Sequence, residues 1–317
     1  MQLAQPPART VAFISNKGGV GKTHIAVNLA IQMAREGRRV LLIDTDLGSA
    51  NADIRLGLRA GRSLLDFYEK RADIFDCLTA TDSGIHFIAG RSGEYGLANL
   101  GHQQKIRLLR GFDKLVREGG YTDVFFDLGA GISSRVLDFA LVADECVIVS
   151  TPQDIVAGYA ALKACWTRYT SLANMHYFRS RTLGSKGNGN GNGDGNGNGV
   201  APYKLRLNII VNQADNLEEA KKVYLRIFDV ARTYFYQTEG HLGLPLRYLG
   251  GIPYVNGLLR QAERSKVPAI VMYPNHPFSL AVREIGYVLL EKQTVTPNRL
   301  PILFSDRIKS VVRSWVS

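Results

Sequence analysis

A chain of 317 residues, 45% of them apolar, is long enough for one large domain with a substantial core. No apolar run reaches the roughly eighteen residues of a membrane-spanning helix, and residues 1–10 carry no signal-peptide core, so a soluble cytoplasmic protein is expected. Cys77, Cys146 and Cys165 are scattered, without a C-x-x-C pair or a His/Cys cluster, which excludes a disulfide framework or a thiolate metal centre and leaves them as small core residues. The net charge of +11 points to an anionic partner, either nucleic acid or an acidic membrane surface, and charge alone does not choose between them.

From residue 11 the chain reads Val11-Ala12-Phe13-Ile14-Ser15-Asn16-Lys17-Gly18-Gly19-Val20-Gly21-Lys22-Thr23. An apolar run, a glycine-rich segment and a helical pattern in that order predict a phosphate cradle. Glycines let backbone N–H groups turn inward, and the helix N-terminus adds its positive end. The cradle is expected to run from Gly18, Gly19, Val20 and Gly21 to Lys22, Thr23 and His24. Lys22 is placed for the outer phosphates and the Thr23 hydroxyl for Mg²⁺. Asn16 stands where the usual G-x-x-x-x-G-K-[ST] loop has its first glycine, and Lys17 supplies a second lysine.

Ile25, Ala26, Leu29, Ala30 and Met33 then recur at helical spacing up to Gly37. Residues 40–43 form a buried strand that delivers Asp44-Thr45-Asp46. Ligands of open parallel sheets sit at the carboxyl ends of strands, so these acids should face the triphosphate; taken singly, either is equally a turn cap. A short strand at residues 85–89 contains His86, a structural histidine with no metal-ligand companion. Ile106, Leu108, Leu109, Phe112 and Leu115 predict a helix ending at Gly119-Gly120. The strand at residues 121–126 ends in Asp127, placed to bind Mg²⁺ through a water, with Gly129 and Gly131 free to move with a γ-phosphate.

Residues 146–151 read as a strand leading through Pro152 into a helix over 154–169. The Gly-Asn run at 185–199 has no apolar residue, so a disordered surface loop inserted within one domain is expected. The sheet resumes at 205–211 and ends at Asn212, whose amide can both donate to and accept from an adenine edge. A helix over 218–236, a final strand over 246–253 ending at Pro253, and a helix over 278–292 complete the expected domain, residues 11–296.

These motifs resemble the MinD/ParA family of dimerising ATPases, whose deviant Walker A loop carries the extra lysine. Asp44, Asp46, Gly48, Asn51 and Asp53 match the family's first switch, D-x-D-x-G-x-x-N-x-D. Asp127-Leu128-Gly129-Ala130-Gly131-Ile132-Ser133 looks like the second switch of its flagellar-number branch, FlhG. The resemblance implies a doubly wound, mostly parallel α/β sheet flanked by helices, a P-loop NTPase of the SIMIBI/MinD-like kind, with ATP and Mg²⁺ as its ligands. It implies catalytic roles for Lys17, Lys22 and Asp46, with Lys17 reaching the partner subunit's nucleotide and Asp46 positioning the attacking water. It assigns Mg²⁺ to Thr23, Asp46 and Asp127, switching to Asp44, Asn51, Gly129 and Gly131, and the base to Asn212 and Pro253. Slow, partner-stimulated hydrolysis and an ATP-bound homodimer follow. So do partners such as the GTPase FlhF or flagellar switch and regulatory proteins, although residues 1–10 do not contain the D-Q-A-x-x-L-R segment that acts on FlhF.

Pro297 and Pro301 set off a tail, residues 297–317. At 100° per residue Phe304, Ile308, Val311, Val312 and Trp315 fall within an arc of about 100°, with Lys309 and Arg313 on the other side. Such a basic amphipathic helix can lie in a membrane interface, or its stripe can pack on the protein's own core or on a partner. One copy binds a membrane weakly and a dimer's two gain from effective concentration, so the resemblance implies a protein peripheral to the inner face of the cell membrane. Two rival readings stand beside it. One is a ParA-like partition ATPase binding DNA non-specifically and salt-sensitively, and the other is a scaffold that keeps ATP without hydrolysing it.

Overall fold

The computed structural model describes residues 8–46, 52–58, 61–90, 101–183, 205–239, 246–290 and 304–315. In chain order the elements are β1 (Arg9–Ile14), α1 (Lys22–Arg35), β2 (Val40–Asp44), α2 (Ala52–Arg55), α3 (Leu64–Tyr68), β3 (Thr79–Ala80), β4 (His86–Ile88), α4 (His102–Glu118) and β5 (Asp123–Asp127). They continue as α5 (Ser134–Leu141), β6 (Glu145–Ser150), α6 (Ile155–Leu183), β7 (Arg206–Ala214), α7 (Leu217–Glu239), β8 (Leu246–Pro253), α8 (Leu258–Ser265), α9 (Ala269–Met272), α10 (Pro277–Leu290) and α11 (Phe304–Ser314).

The strands form one eight-stranded sheet in the order β3-β4-β2-β5-β1-β6-β7-β8. Neighbours run parallel except the antiparallel β3–β4 pair at one edge. Each central strand is apolar on both faces because helices cover both. In β1, Ala12 and Ile14 enter one core while Val11 and Phe13 enter the other, and β2 divides Leu41 and Ile43 from Leu42 in the same way. One face carries α1, α9 and α10. The other carries α4 to α7 and α11. This is the doubly wound sheet that the family resemblance implied.

β1 sits between β5 and β6, which chain order alone does not reveal, and the register is exact enough to place Phe13 beside Asp127 and Asp44 beside Asp127. The carboxyl ends of β1, β2 and β5 therefore meet at one point on the sheet's rim. Opposite, at the amino ends, Arg9 and Arg38 both bond Asp123, with Arg9 Nε at 2.8 Å and Arg38 Nε at 2.7 Å. All three cysteines are buried, and His86 Nδ1 lies 2.7 Å from the Tyr121 hydroxyl.

Expected helix spans were too short at several ends. The helix expected to start at 154 begins with a 3-10 turn, Pro152–Asp154, and continues to Leu183; that expected over 218–236 runs from Leu217 to Glu239. The short helices α2, α3, α5 and α9 carry too little periodicity to be read. The Gly-Asn run at 185–199 and Asn51 lie outside the described residues.

The tail is where the structure departs most from the membrane expectation. Helix α11 lies against α4, α5 and α6, with Ile308 and Val311 buried and Val312 and Trp315 packed on the same core. Burying a side chain of this size stabilises by about 1.5–3 kcal/mol, comparable to what a membrane interface offers, so apolar area alone does not favour either place. Polar contacts hold the helix in this one. Arg307 Nη1 donates to Asp144 Oδ1 at 2.6 Å, the Trp315 indole N–H donates to Asp138, and Arg168 Nη2 donates to Ser314 Oγ at 2.9 Å. In this arrangement the stripe of Ile308, Val311, Val312 and Trp315 is covered and does not face a membrane. Among the described residues no helix is long and apolar enough to cross one.

Candidate functional site

The site begins where β1 ends. Gly19 and Gly21 have φ of +79° and +86°, a left-handed backbone that only glycine adopts without strain, and they fold the loop between β1 and α1. Gly21 then caps α1, whose Ile25 N–H donates to Gly21 O at 3.0 Å. The loop is steadied from β7. Asn212 Nδ2 donates to Val20 O at 2.8 Å and Gln213 Nε2 to Gly19 O at 3.3 Å. A Cβ on Gly21 would lie 2.3 Å from Asn212 Nδ2, so the glycine is required by that close approach as well as by its φ.

Lys22 is buried and donates to Asp127 Oδ1, while Asp127 Oδ2 is buried with no hydrogen-bond partner. Asp44 lies in register beside Asp127, and burial first, then the Asp127 charge, raise its pKa from 3.8 to about 7. Two buried carboxylates thus share one ammonium group. That is a donor set short of positive charge, and hard carboxylate oxygens with a threonine hydroxyl nearby suit a divalent cation such as Mg²⁺. Thr23 is half-buried at the start of α1.

The segments that follow β2 and β5 touch here. Asp46 N–H donates to Asp44 Oδ1 at 3.0 Å, Ala52 N–H donates to Asp44 Oδ2 at 3.2 Å, and a Cβ on Gly129 would meet Asp46 Oδ1 at 3.3 Å. Thr45, which no motif singled out, ties the strands together by donating its N–H and hydroxyl to Asp127 O at 3.0 and 2.9 Å. Gly131, at φ +110°, donates its N–H to Ser15 O at 2.9 Å and so hangs from the phosphate loop.

Three predicted residues are engaged by other parts of the same chain. Lys17 is exposed and pairs with Asp154 of its own chain, a partner that spacing could not reveal because it follows β6. Asn212 is buried and commits one of its two amide N–H donors to the loop, which leaves the other N–H and the oxygen to meet a base. His24 places its ring in a cleft lined by Arg55 and Glu263. Pro253 closes the opposite rim at the end of β8, paired with Ala214, and the Tyr254 N–H donates to Ala214 O at 2.7 Å. Gln213, at φ +60°, is a further residue missed, since a strained backbone leaves no trace in composition.

A glycine cradle at the carboxyl end of β1, with a buried lysine and paired acids at its mouth, defines a nucleotide-binding P-loop domain. Residues 11–269 match the CobQ/CobB/MinD/ParA nucleotide binding domain, and the chain belongs to that family. Within it, the chain is 28% identical over 282 residues to the antiactivator FleN of Pseudomonas aeruginosa, covering 88% of this chain and 85% of FleN. It is 27% identical over 288 residues to the flagellum site-determining protein YlxH of Helicobacter pylori, covering 89% and 82%. The fold is similar to that of the septum site-determining protein MinD of Pyrococcus horikoshii, complexed with Mg-ADP, with a TM-score of 0.59 at 19% identity over 90% of this chain and 96% of that one.

Proposed function

We propose that this protein is an ATP-dependent, dimerising switch ATPase that regulates the placement or number of flagella, and that its nucleotide state controls membrane association through α11. The observation that carries the reading is the buried Lys22–Asp127–Asp44 cluster beneath the glycine loop, which is short of one cation and opens on the end of β1. Similarity to FleN and YlxH over most of the chain supports the flagellar role, and the Mg-ADP of the Pyrococcus protein supports an adenine nucleotide with Mg²⁺.

In this reading the loop N–H groups and Lys22 hold the phosphates, with phosphate oxygens competing against Asp127 for the ammonium group. Thr23 and Asp127 hold the cation, Asp127 through its unpartnered oxygen or a water, with Asp44 beside it. The bound Mg²⁺ supplies charge neutralisation at the phosphates. Asp46 orients a water, the task that phosphoryl transfer demands most of a protein. The Asn212 oxygen accepts from the adenine amino group, and Pro253 borders the base. Lys17 leaves Asp154 to reach the nucleotide of a second copy, an exchange of one exposed ion pair for contacts to a triphosphate.

Multiple-turnover phosphate release, with Asp46→Ala as the control, tests the enzymatic part: turnover in the wild type that the variant abolishes supports it, and no turnover in the wild type sinks it. Sedimentation velocity with ATP or ADP tests the dimer, which should form with ATP and vanish in Lys17→Ala. Salt-sensitive DNA binding in place of liposome binding would move the assignment to a partition ATPase.

A further inference from the structure

Two helices beside the site are fastened to each other. Helix α2 follows the first switch segment, and its first N–H holds Asp44 Oδ2. Helix α8 follows Pro253 and the base-side rim. Between them Arg55 Nη2 lies 3.0 Å from Glu263 Oε1, and just beyond α2 Gly57, at φ +68°, sits so close that a Cβ would meet Lys266 O at 2.5 Å. Lys266 itself is left-handed at φ +54°. The contact is thus built from backbone and charge on both sides.

His24, one residue after Thr23, is inserted in this junction. Its Nε2 lies 3.1 Å from Glu263 Oε1 and 3.3 Å from Arg55 Nε. A single imidazole nitrogen either accepts a hydrogen bond from Arg55 or donates one to Glu263, and cannot do both. The junction therefore has two hydrogen-bonding arrangements, one favouring α2 and one favouring α8, and both terminate on the helix that follows the phosphate loop. Asn28, one turn along α1, ties the same region down by accepting from the Ile270 N–H at 2.8 Å.

We propose that His24, Arg55 and Glu263 couple the γ-phosphate side of the site, through α2, to the base side, through α8, with Arg55 and Glu263 as positioning residues that favour the triphosphate over the diphosphate. The proposal rests on the ATP reading above. A diphosphate engages the base side and the loop, whereas a triphosphate also draws in the first switch, and a link between α2 and α8 lets one contact strengthen the other.

The test is fluorescence binding of a slowly hydrolysed ATP analogue and of ADP, each with Mg²⁺, to the full chain and to Glu263→Gln, Arg55→Met and the charge-reversed pair Arg55→Glu/Glu263→Arg. Each single variant is expected to reduce the ratio of triphosphate to diphosphate affinity by about tenfold, within the usual range of coupling between sites. The reversed pair should restore most of it. A wild-type ratio in both single variants, an equal loss of both nucleotides, or a reversed pair no better than the singles overturns the coupling. A wild-type chain that binds neither nucleotide overturns the ATP reading, and the coupling with it.

Discussion

Two sets of buried or half-buried carboxylates lie at different places on this sheet, and their surroundings are opposite in character. At the seat of α11, all four oxygens of Asp138 and Asp144 are partnered. Asp138 takes Arg168 and the Trp315 indole, while Asp144 takes Arg307 on one oxygen and the Thr10 N–H and hydroxyl, each at 2.7 Å, on the other. At the phosphate loop, Asp44 and Asp127 share Lys22, Asp127 keeps a buried oxygen without a partner, and Asp44 is held protonated up to about pH 7. Satisfied carboxylates make a seat that holds a helix in place. Carboxylates short of positive charge make a site that a cation completes.

The largest expected effect comes from removing the buried ammonium group at the phosphate site. Lys22→Met leaves the Asp44–Asp127 pair without compensation, and about 3 kcal/mol or more of stability should be lost at neutral pH, read as a lower urea midpoint. Phosphate release should fall by about a hundredfold or more in the same variant. Stability close to wild type would mean that the two acids are not the frustrated pair described.

At the other site, Arg307→Gln should release α11 without altering its apolar stripe. Losing a buried charge-assisted bond costs about 1.5–3 kcal/mol, so amide exchange in α11 should quicken while the sheet stays protected. Binding to acidic liposomes should rise, because the same stripe becomes available. A fall would mean that the seat and the membrane do not compete for it.

Smaller and more graded is the pH dependence of the metal site. The folded pKa of Asp44, about 7, lies above its ordinary 3.8, so its contribution to folding is intact below pH about 4 and is lost as pH rises through about 7. In chelator this appears as declining thermal stability over that window, which Mg²⁺ should reverse. Because the cation must displace the proton, Mg²⁺ affinity should weaken by up to about tenfold per unit below pH 7, and Asp44→Asn should abolish that slope. The smallest effect on folding belongs to Lys17→Ala. An exposed ion pair with Asp154 contributes about 0–1 kcal/mol, so the unfolding midpoint should barely move even though ATP-dependent dimerisation is lost.

Spacing made the loop legible because its chemistry is local: Gly19, Gly21, Lys22 and Thr23 lie within one turn of chain, and their backbone needs restrict residue type. Asp44 and Asp127 were legible as acids ending apolar runs, but their adjacency was not, since it depends on β1, β2 and β5 meeting in an order that the chain does not spell out. Partners drawn from distant elements stayed hidden for the same reason. Asp154 for Lys17, Glu263 for Arg55 and Asp144 for Arg307 each lie far along the chain from the residue they hold. The tail shows the limit most clearly. Periodicity identified the helix and its stripe correctly, yet a stripe has no memory of what covers it. Its seat on the core depends on Arg307, Arg168 and Trp315 finding carboxylates on α5 and just before β6, far from the tail in the chain.

The most direct measurement of the central claim is co-sedimentation with acidic liposomes of the full chain and of a version ending at Asn298, each with Mg-ATP or Mg-ADP. Nucleotide-controlled release of α11 predicts that only the full chain sediments, and that it does so several-fold more with ATP than with ADP. Equal sedimentation of both versions, indifferent to the nucleotide, would contradict it.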